Sequence, residues 1–294
     1  MEVRDSSALA ERREDGSLDL DLMLEALRGK VRKIREGRLG LPPEVPYAEP
    51  HNSWVVNHPG TMLVIPVGDL AQHVLLTLCY MLQNGLVVRD DINGRSIPGI
   101  EKFKGLVDTE NTWPLTFVEQ WSMAKLSAEL STSCYGGALM LQSMGLGGWM
   151  FNGLDPFSVL GASGNRAVPG LGFRFDTDDR WPYPNPTGLT GVMEGFCPPH
   201  FVDMGEALEA LCERKFGPGG RVHNEEFRAC VALQANYIFE TFGKFPGTVP
   251  SIFVLMYLQA HHLDLEFYDR FFKEGAYLKT HAAHRARWHP EDSD

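Results

Sequence analysis

The longest regular pattern in the chain runs from Phe117 to Met144. There Trp121, Ala124, Ala128, Ser131, Tyr135, Ala138, Leu139 and Gln142 recur at steps of three and four, the spacing of one helix face. Alanine, serine and glycine are frequent along it, and small side chains let a second backbone or a flat ring approach closely. A tight helix–helix contact would use them equally well. The pattern stops at Gly145, a residue suited to the left-handed conformation that closes a helix. Trp149-Met-Phe is then a strand candidate and Asn152-Gly153 a turn, while Asp155-Pro156 reads as an N-cap followed by proline at the first helical position. From Glu119 to Gly161 the chain therefore reads as helix, strand, turn and helix, and a fold built around it contains both helices and sheet.

The flanking sequence adds elements of both kinds. Residues 1–16 read as a frayed tail and 17–294 as one domain. Ser17 is the expected N-cap of a helix over Asp19 to Glu36, whose end carries Lys30, Arg32, Lys33, Arg35 and Arg38, the densest positive charge in the chain. A solvated helix end complementing its dipole explains that cluster, and a phosphate site is the alternative. Leu41 to Pro50, with four prolines, is an extended linker. Thr61 to Val67 reads as a buried strand, and Asp69 as the cap of a helix over Leu70 to Gln83 on which His73 is a structural, hydrogen-bonded residue. A further strand is expected within Val168 to Phe175. Thr177 to Pro199 reads as a long ordered loop pinned by Trp181, Tyr183 and Phe196, either covering a site or making a surface excursion. Asp203 to Phe216, Glu225 to Phe242 and Ser251 to Glu274 read as helices, with a short final helix carrying His281, His284 and His289.

Composition removes several function classes. A formal net charge of −11 without a long basic stripe argues against nucleic acid as a partner. The five scattered cysteines contain no C-x-x-C, which argues against a disulfide framework and a zinc knuckle. No apolar run approaches the ~18 residues of a membrane span and Met1 to Ser17 has no apolar signal core, so no membrane partner and a cytoplasmic location are expected. His261 or His262 with His281, His284 and a carboxylate such as Asp264 or Glu266 would form a metal site only if the last two helices fold together. No metal ligand is assigned, and this remains an alternative. The Gly145-x-Gly147-Gly148 run follows a helix and precedes a strand, the reverse of a dinucleotide-binding loop.

Over Leu139 to Asp155 the chain resembles the central segment of the nitroreductase-like FMN oxidoreductases. In that family a small-residue helix ends in a glycine-rich turn, and an apolar strand leads to positions matched here by Asn152, Gly153, Leu154 and Asp155. Val159-Leu-Gly and Gly170-Leu-Gly-Phe-Arg-Phe resemble the family's next helix and closing strand. The resemblance implies an α+β fold, a small mixed sheet flanked by helices with extra helices at the C-terminus, assembled as a homodimer with FMN at the subunit interface. It implies hydride transfer through flavin N5 between NAD(P)H or an organic donor and an organic acceptor. Backbone N–H groups at Asn152 and Gly153 would face N5, with Ser131, Ser133, Tyr135 and Gly136 along the facing helix. Arg28, Lys30 and Arg32 lie near the family's phosphate-binding helix, at a different spacing and without its serine, and Arg285 and Arg287 stand near the C-terminal basic position. A flavin-free binding or regulatory protein of the same fold is the other reading that these residues leave open.

Overall fold

The computed structural model describes residues 12–28, 31–50, 56–57, 60–189, 193–194, 203–216, 223–250 and 257–262. In chain order they form α1 (Leu20–Arg28), β1 (Thr61–Val64), α2 (Leu70–Gln83), β2 (Val88–Asp90) and β3 (Arg95–Ser96), followed by a 3-10 turn (Ile100–Phe103). Next come β4 (Trp113–Pro114), α3 (Leu115–Ser143), β5 (Leu146–Phe151) and α4 (Pro156–Leu160). The strands β6 (Arg174–Asp176), β7 (Asn185–Leu189) and β8 (Met193–Glu194), the helices α5 (Met204–Phe216) and α6 (Glu225–Phe242), and β9 (Tyr257–His262) complete the set. The chain is α+β. Among the described residues the strands form three three-stranded sheets, β1-β9-β5, β3-β2-β4 and β6-β7-β8, of which the second contains a parallel pair, β2 with β4.

The main core lies between helices. Val74, Leu75 and Leu78 of α2, Leu115 and Val118 of α3, Leu208 and Leu211 of α5, and Val231, Ala235 and Ile238 of α6 bury one another, with Val87 and Ile97 closing the sheet side. Asp69 caps α2, its carboxylate accepting from Gln72 N at 2.9 Å. Asn224 caps α6 in the same way through Phe227 N at 2.8 Å. A buried amide joins this core to β2: Gln234 Oε1 accepts from Val88 N at 3.0 Å and Nε2 donates to Cys230 O at 3.2 Å.

A smaller core under the β1-β9-β5 sheet gathers Leu39, Leu41, Ala48, Val56, Phe151, Leu154, Val159 and Val168. The proline-rich stretch expected as a linker therefore contributes core residues.

Several expectations change. The first helix ends at Arg28 and its cap is Asp19, whose Oδ1 accepts from Leu22 N at 3.1 Å. Ser17 Oγ instead donates to Asp15 Oδ1 at 2.6 Å. Residues 31–35 carry no helix. The expected strand before Phe175 shifts to β6, because positive φ at Gly170 (53°) and Gly172 (74°) makes residues 170–172 a turn. The loop over 177–199 contains β7 and β8, and β7 pairs antiparallel with β6. Within the span expected as a helix over 251–274, β9 is a strand between β1 and β5. The final histidine-bearing helix lies outside the described residues.

Candidate functional site

The α3–β5–α4 unit is built as its sequence pattern predicts. α3 starts after Pro114, and its first turn is capped from another element: Asp91 accepts from Thr116 N at 3.0 Å and from the Thr116 hydroxyl. An anionic side chain there satisfies free N–H groups and complements the helix dipole. At the far end Gly145 takes φ 73° and donates to Gln142 O at 3.0 Å, and β5 turns back along the helix. At ~3.3 Å per strand residue and ~1.5 Å per helix residue, the end of β5 returns to the level of Ser131. Met150 packs with Leu141 against Cys134 and Ala138, seaming strand to helix.

The turn after β5 is fixed from two sides. Gly153 has φ 115°, a backbone conformation in which glycine is favoured. Its carbonyl accepts from Glu49 N at 2.7 Å, Asp155 N donates to Tyr47 O at 3.0 Å, and Leu154 bridges Ala48. Asp155 Oδ2 then caps α4 through Ser158 N at 2.9 Å and Ser158 Oγ at 2.6 Å, with Pro156 opening the helix. Behind α4, a Cβ on Gly170 would lie 2.2 Å from Ser158 O, so that loop packs backbone to backbone.

The residues expected around a ring divide on this frame. Asn152 is exposed and Gly153 half-buried at the turn. Ser131 is half-buried at its level, with Oγ donating to Ser127 O at 2.7 Å, while Ser133 Oγ donates to Glu129 O at 3.1 Å. Both hydroxyl protons are held within α3, so toward a ligand these oxygens act as acceptors. Ser133, Tyr135 and Gly136 face outward, and a Cβ on Gly136 would meet nothing within 4 Å.

The cations expected for a phosphate are described only in part. Arg28 and Arg32 are exposed, and α1 buries none of its residues; Lys30 lies outside the described residues. Two cations that sequence reasoning left in the solvated helix end, Arg35 and Arg38, reach other elements. Arg35 Nη1 donates to Gly170 O at 3.0 Å. Arg38 donates to Val56 O at 2.6 and 2.9 Å and to Thr61 Oγ1 at 3.0 Å, and burial lowers its pKa to about 10. Residues 31–35 lie outside any helix, so helical periodicity did not indicate these two contacts.

The most deeply buried charges serve the fold. Glu119, fully buried on α3, accepts from Gly247 N at 2.7 Å, Thr248 N at 2.6 Å and Thr248 Oγ1 at 2.5 Å. Lys244 Nζ donates to the carbonyls of Pro246, Gly247 and Val249 at 2.9, 2.7 and 2.6 Å. Burial pushes the Glu119 pKa up, and the hydrogen bonds from Thr248 and Gly247 and the charge of Lys244 oppose that. The pair fastens residues 244–249 to α3. Nothing in the sequence spacing links positions 119 and 248.

His73 Nε2 lies 3.1 Å from Glu129 Oε2, in keeping with its expected structural role. Among the described residues no group of three or more His, Cys, Asp or Glu side chains is placed to hold a metal ion. His261 and His262 belong to β9, their backbones opposite Gly147 and Leu146, and His281 and His284 lie outside the described residues. No described helix is long and apolar enough to cross a membrane. Comparison of the chain with protein-family models, curated proteins and solved structures finds no match.

Proposed function

We propose that this protein is an FMN-dependent oxidoreductase of nitroreductase-like fold that transfers hydride between a nicotinamide or organic donor and an organic acceptor. The observation that carries the reading is the turn itself: Gly153 at φ 115°, fixed by residues 47–49 and returned by β5 to the level of Ser131 on α3. A flat ring needs a rigid edge of backbone donors and a facing wall. The Asn152–Gly153 backbone is the proposed edge, and the outer face of α3 at Ser131, Ser133, Tyr135 and Gly136 the proposed wall. Bound flavin would supply the hydride-accepting and hydride-donating centre. The protein's part would be to orient the ring and direct N–H dipoles at the position where negative charge develops.

The ring side of the group would fall to these residues. The phosphate side would fall to Arg28, Lys30 and Arg32, and the exposed Arg28 and Arg32 support a second reading, a flavin-free binding protein of the same fold. A homodimer with the cofactor at its subunit boundary accommodates a wall that lies open in the single chain. The test is the visible absorbance of freshly purified protein, then heat release of any chromophore. Stoichiometric FMN is expected. Colourless protein that also shows no spectral change on addition of FMN would remove the oxidoreductase reading in favour of the binding protein. Stoichiometric zinc, iron or manganese in untagged protein would favour the metal alternative.

A further inference from the structure

A phosphate group held by a chain of net charge −11 needs cations that are fixed in place and still have donors to give. Arg28 sits on α1, which buries none of its residues. Arg35 is fixed. Its Nη1 donates to Gly170 O at 3.0 Å, across 135 residues of sequence, while Nε and Nη2 have no partner among the described residues. The segment that carries it is held as well, because Arg38 donates to Val56 O and Thr61 Oγ1. Neither Glu36 nor Asp155 draws it off, since Glu36 pairs with Lys33 and Asp155 is held by Ser158.

The anchor of Arg35 belongs to the frame of the Gly153 turn. A Cβ on Gly170 would lie 2.2 Å from Ser158 O and 2.6 Å from Val159 O, and Leu171 N donates to Val159 O at 2.8 Å, so Gly170 lies directly against α4. Ser158 is one helical turn, ~5.4 Å, beyond Asp155, which follows Gly153 by two residues. Arg166 enters the same frame through Tyr47. Its neighbour Asn165 donates from Nδ2 to Tyr47 Oη at 2.9 Å, and Tyr47 O accepts from Asp155 N at 3.0 Å. Arg166 itself is exposed, with no ion pair or hydrogen bond among the described residues. Two guanidinium groups with donors to spare are thus tethered, one through α4 and one through Tyr47, to the segment that fixes the turn.

We infer that Arg35 and Arg166 form a phosphate-monoester subsite beside the Gly153 turn, one that receives the phosphate of the flavin. The guanidinium fork suits that group, since two parallel N–H donors match two phosphate oxygens. The assignment replaces Arg28, Lys30 and Arg32, the residues that the family resemblance implies. It rests on the flavin reading for the source of the phosphate.

Riboflavin, which has the same ring and no phosphate, separates the subsite from the turn. The experiment is isothermal titration calorimetry of the full chain with FMN and with riboflavin. Wild type is expected to bind FMN about tenfold to a hundredfold more tightly than riboflavin, and Arg35→Gln combined with Arg166→Gln to bind the two within about twofold, at the wild-type riboflavin affinity. Inorganic phosphate should compete with FMN and leave riboflavin binding unchanged. Arg166 makes no contact among the described residues, so Arg166→Gln alone is expected to lower the preference in part with an unchanged melting temperature, a result that misfolding cannot imitate. Equal binding of the two flavins by wild type, or a preference that the double variant keeps, would overturn the subsite and leave the turn standing. If neither flavin binds, the flavin reading falls and inorganic phosphate alone decides. A rise in melting temperature with phosphate that the double variant loses supports the subsite, and no rise, or one that the double variant shares, overturns it.

Discussion

Around Val118, Val231 and Ile238 the helices cover one another, and the buried polar groups Glu119, Ser122 and Gln234 all have hydrogen-bond partners. On α3 and on β1, Tyr135, Leu139, Met140, Met62 and Val64 stay exposed. One region covers its apolar side chains, and the other leaves part of its apolar surface exposed.

The largest effect that separates the two regions is expected from Glu119→Ala. It strips the acceptor from Gly247 N and Thr248 N and leaves Lys244 buried without its counter-charge, for a loss of about 3–5 kcal/mol. The guanidinium chloride midpoint measures this, and a loss within error would show that the helical region is not fastened through residues 244–249. Gln234→Leu, which orphans Val88 N, is expected to cost about 1–3 kcal/mol by the same method.

Effects at the turn are expected to be smaller. Asp155→Ala removes only the α4 cap and should cost about 0.5–2 kcal/mol. A larger loss, measured in parallel with Gln234→Leu, would erase the contrast between the regions.

The acid limb of stability should also trace to the helical region. Burial acts to raise the Asp90 pKa, but hydrogen bonds from Tyr237 and Asn93 outweigh it and hold the pKa below the usual carboxylate range. Its stabilisation is therefore present above the ordinary carboxylate pKa and is lost as pH falls through the lowered folded value. Asp90→Asn should flatten the melting-temperature profile in that window, and an unchanged acid limb would remove Asp90 from the account. Met62→Ala, on exposed β1, is expected to shift stability by no more than about 0.5 kcal/mol. A drop of several times that would show β1 to be covered.

What the sequence disclosed follows the range of the interactions involved. Asp69 before α2, Asn152-Gly153 after β5 and Asp155-Pro156 before α4 act within a few residues, and their spacing announced them. The expected helix over 251–274 failed around β9 because that segment is held by pairing with β1 and β5, about two hundred and one hundred residues away. Leu41 and Ala48 looked like linker because their partners Phe151 and Leu154 lie a hundred residues away. Asn152 and Gly153 were legible as a turn, whereas Arg35 and Arg38, which reach back to Gly170 and Val56, were not. Glu119 with Thr248 was hidden for the same reason, since only tertiary folding brings them together.

The central claim is that the open turn at Gly153 is the edge of a flavin site. Its most direct test is an FMN titration of wild type and Gly153→Val side by side, followed by difference absorbance, with far-UV circular dichroism to verify that both retain their helices. The account predicts saturable uptake of one FMN per chain by the wild type and none by Gly153→Val. Equal uptake by the two proteins, or no spectral change with either, would contradict it.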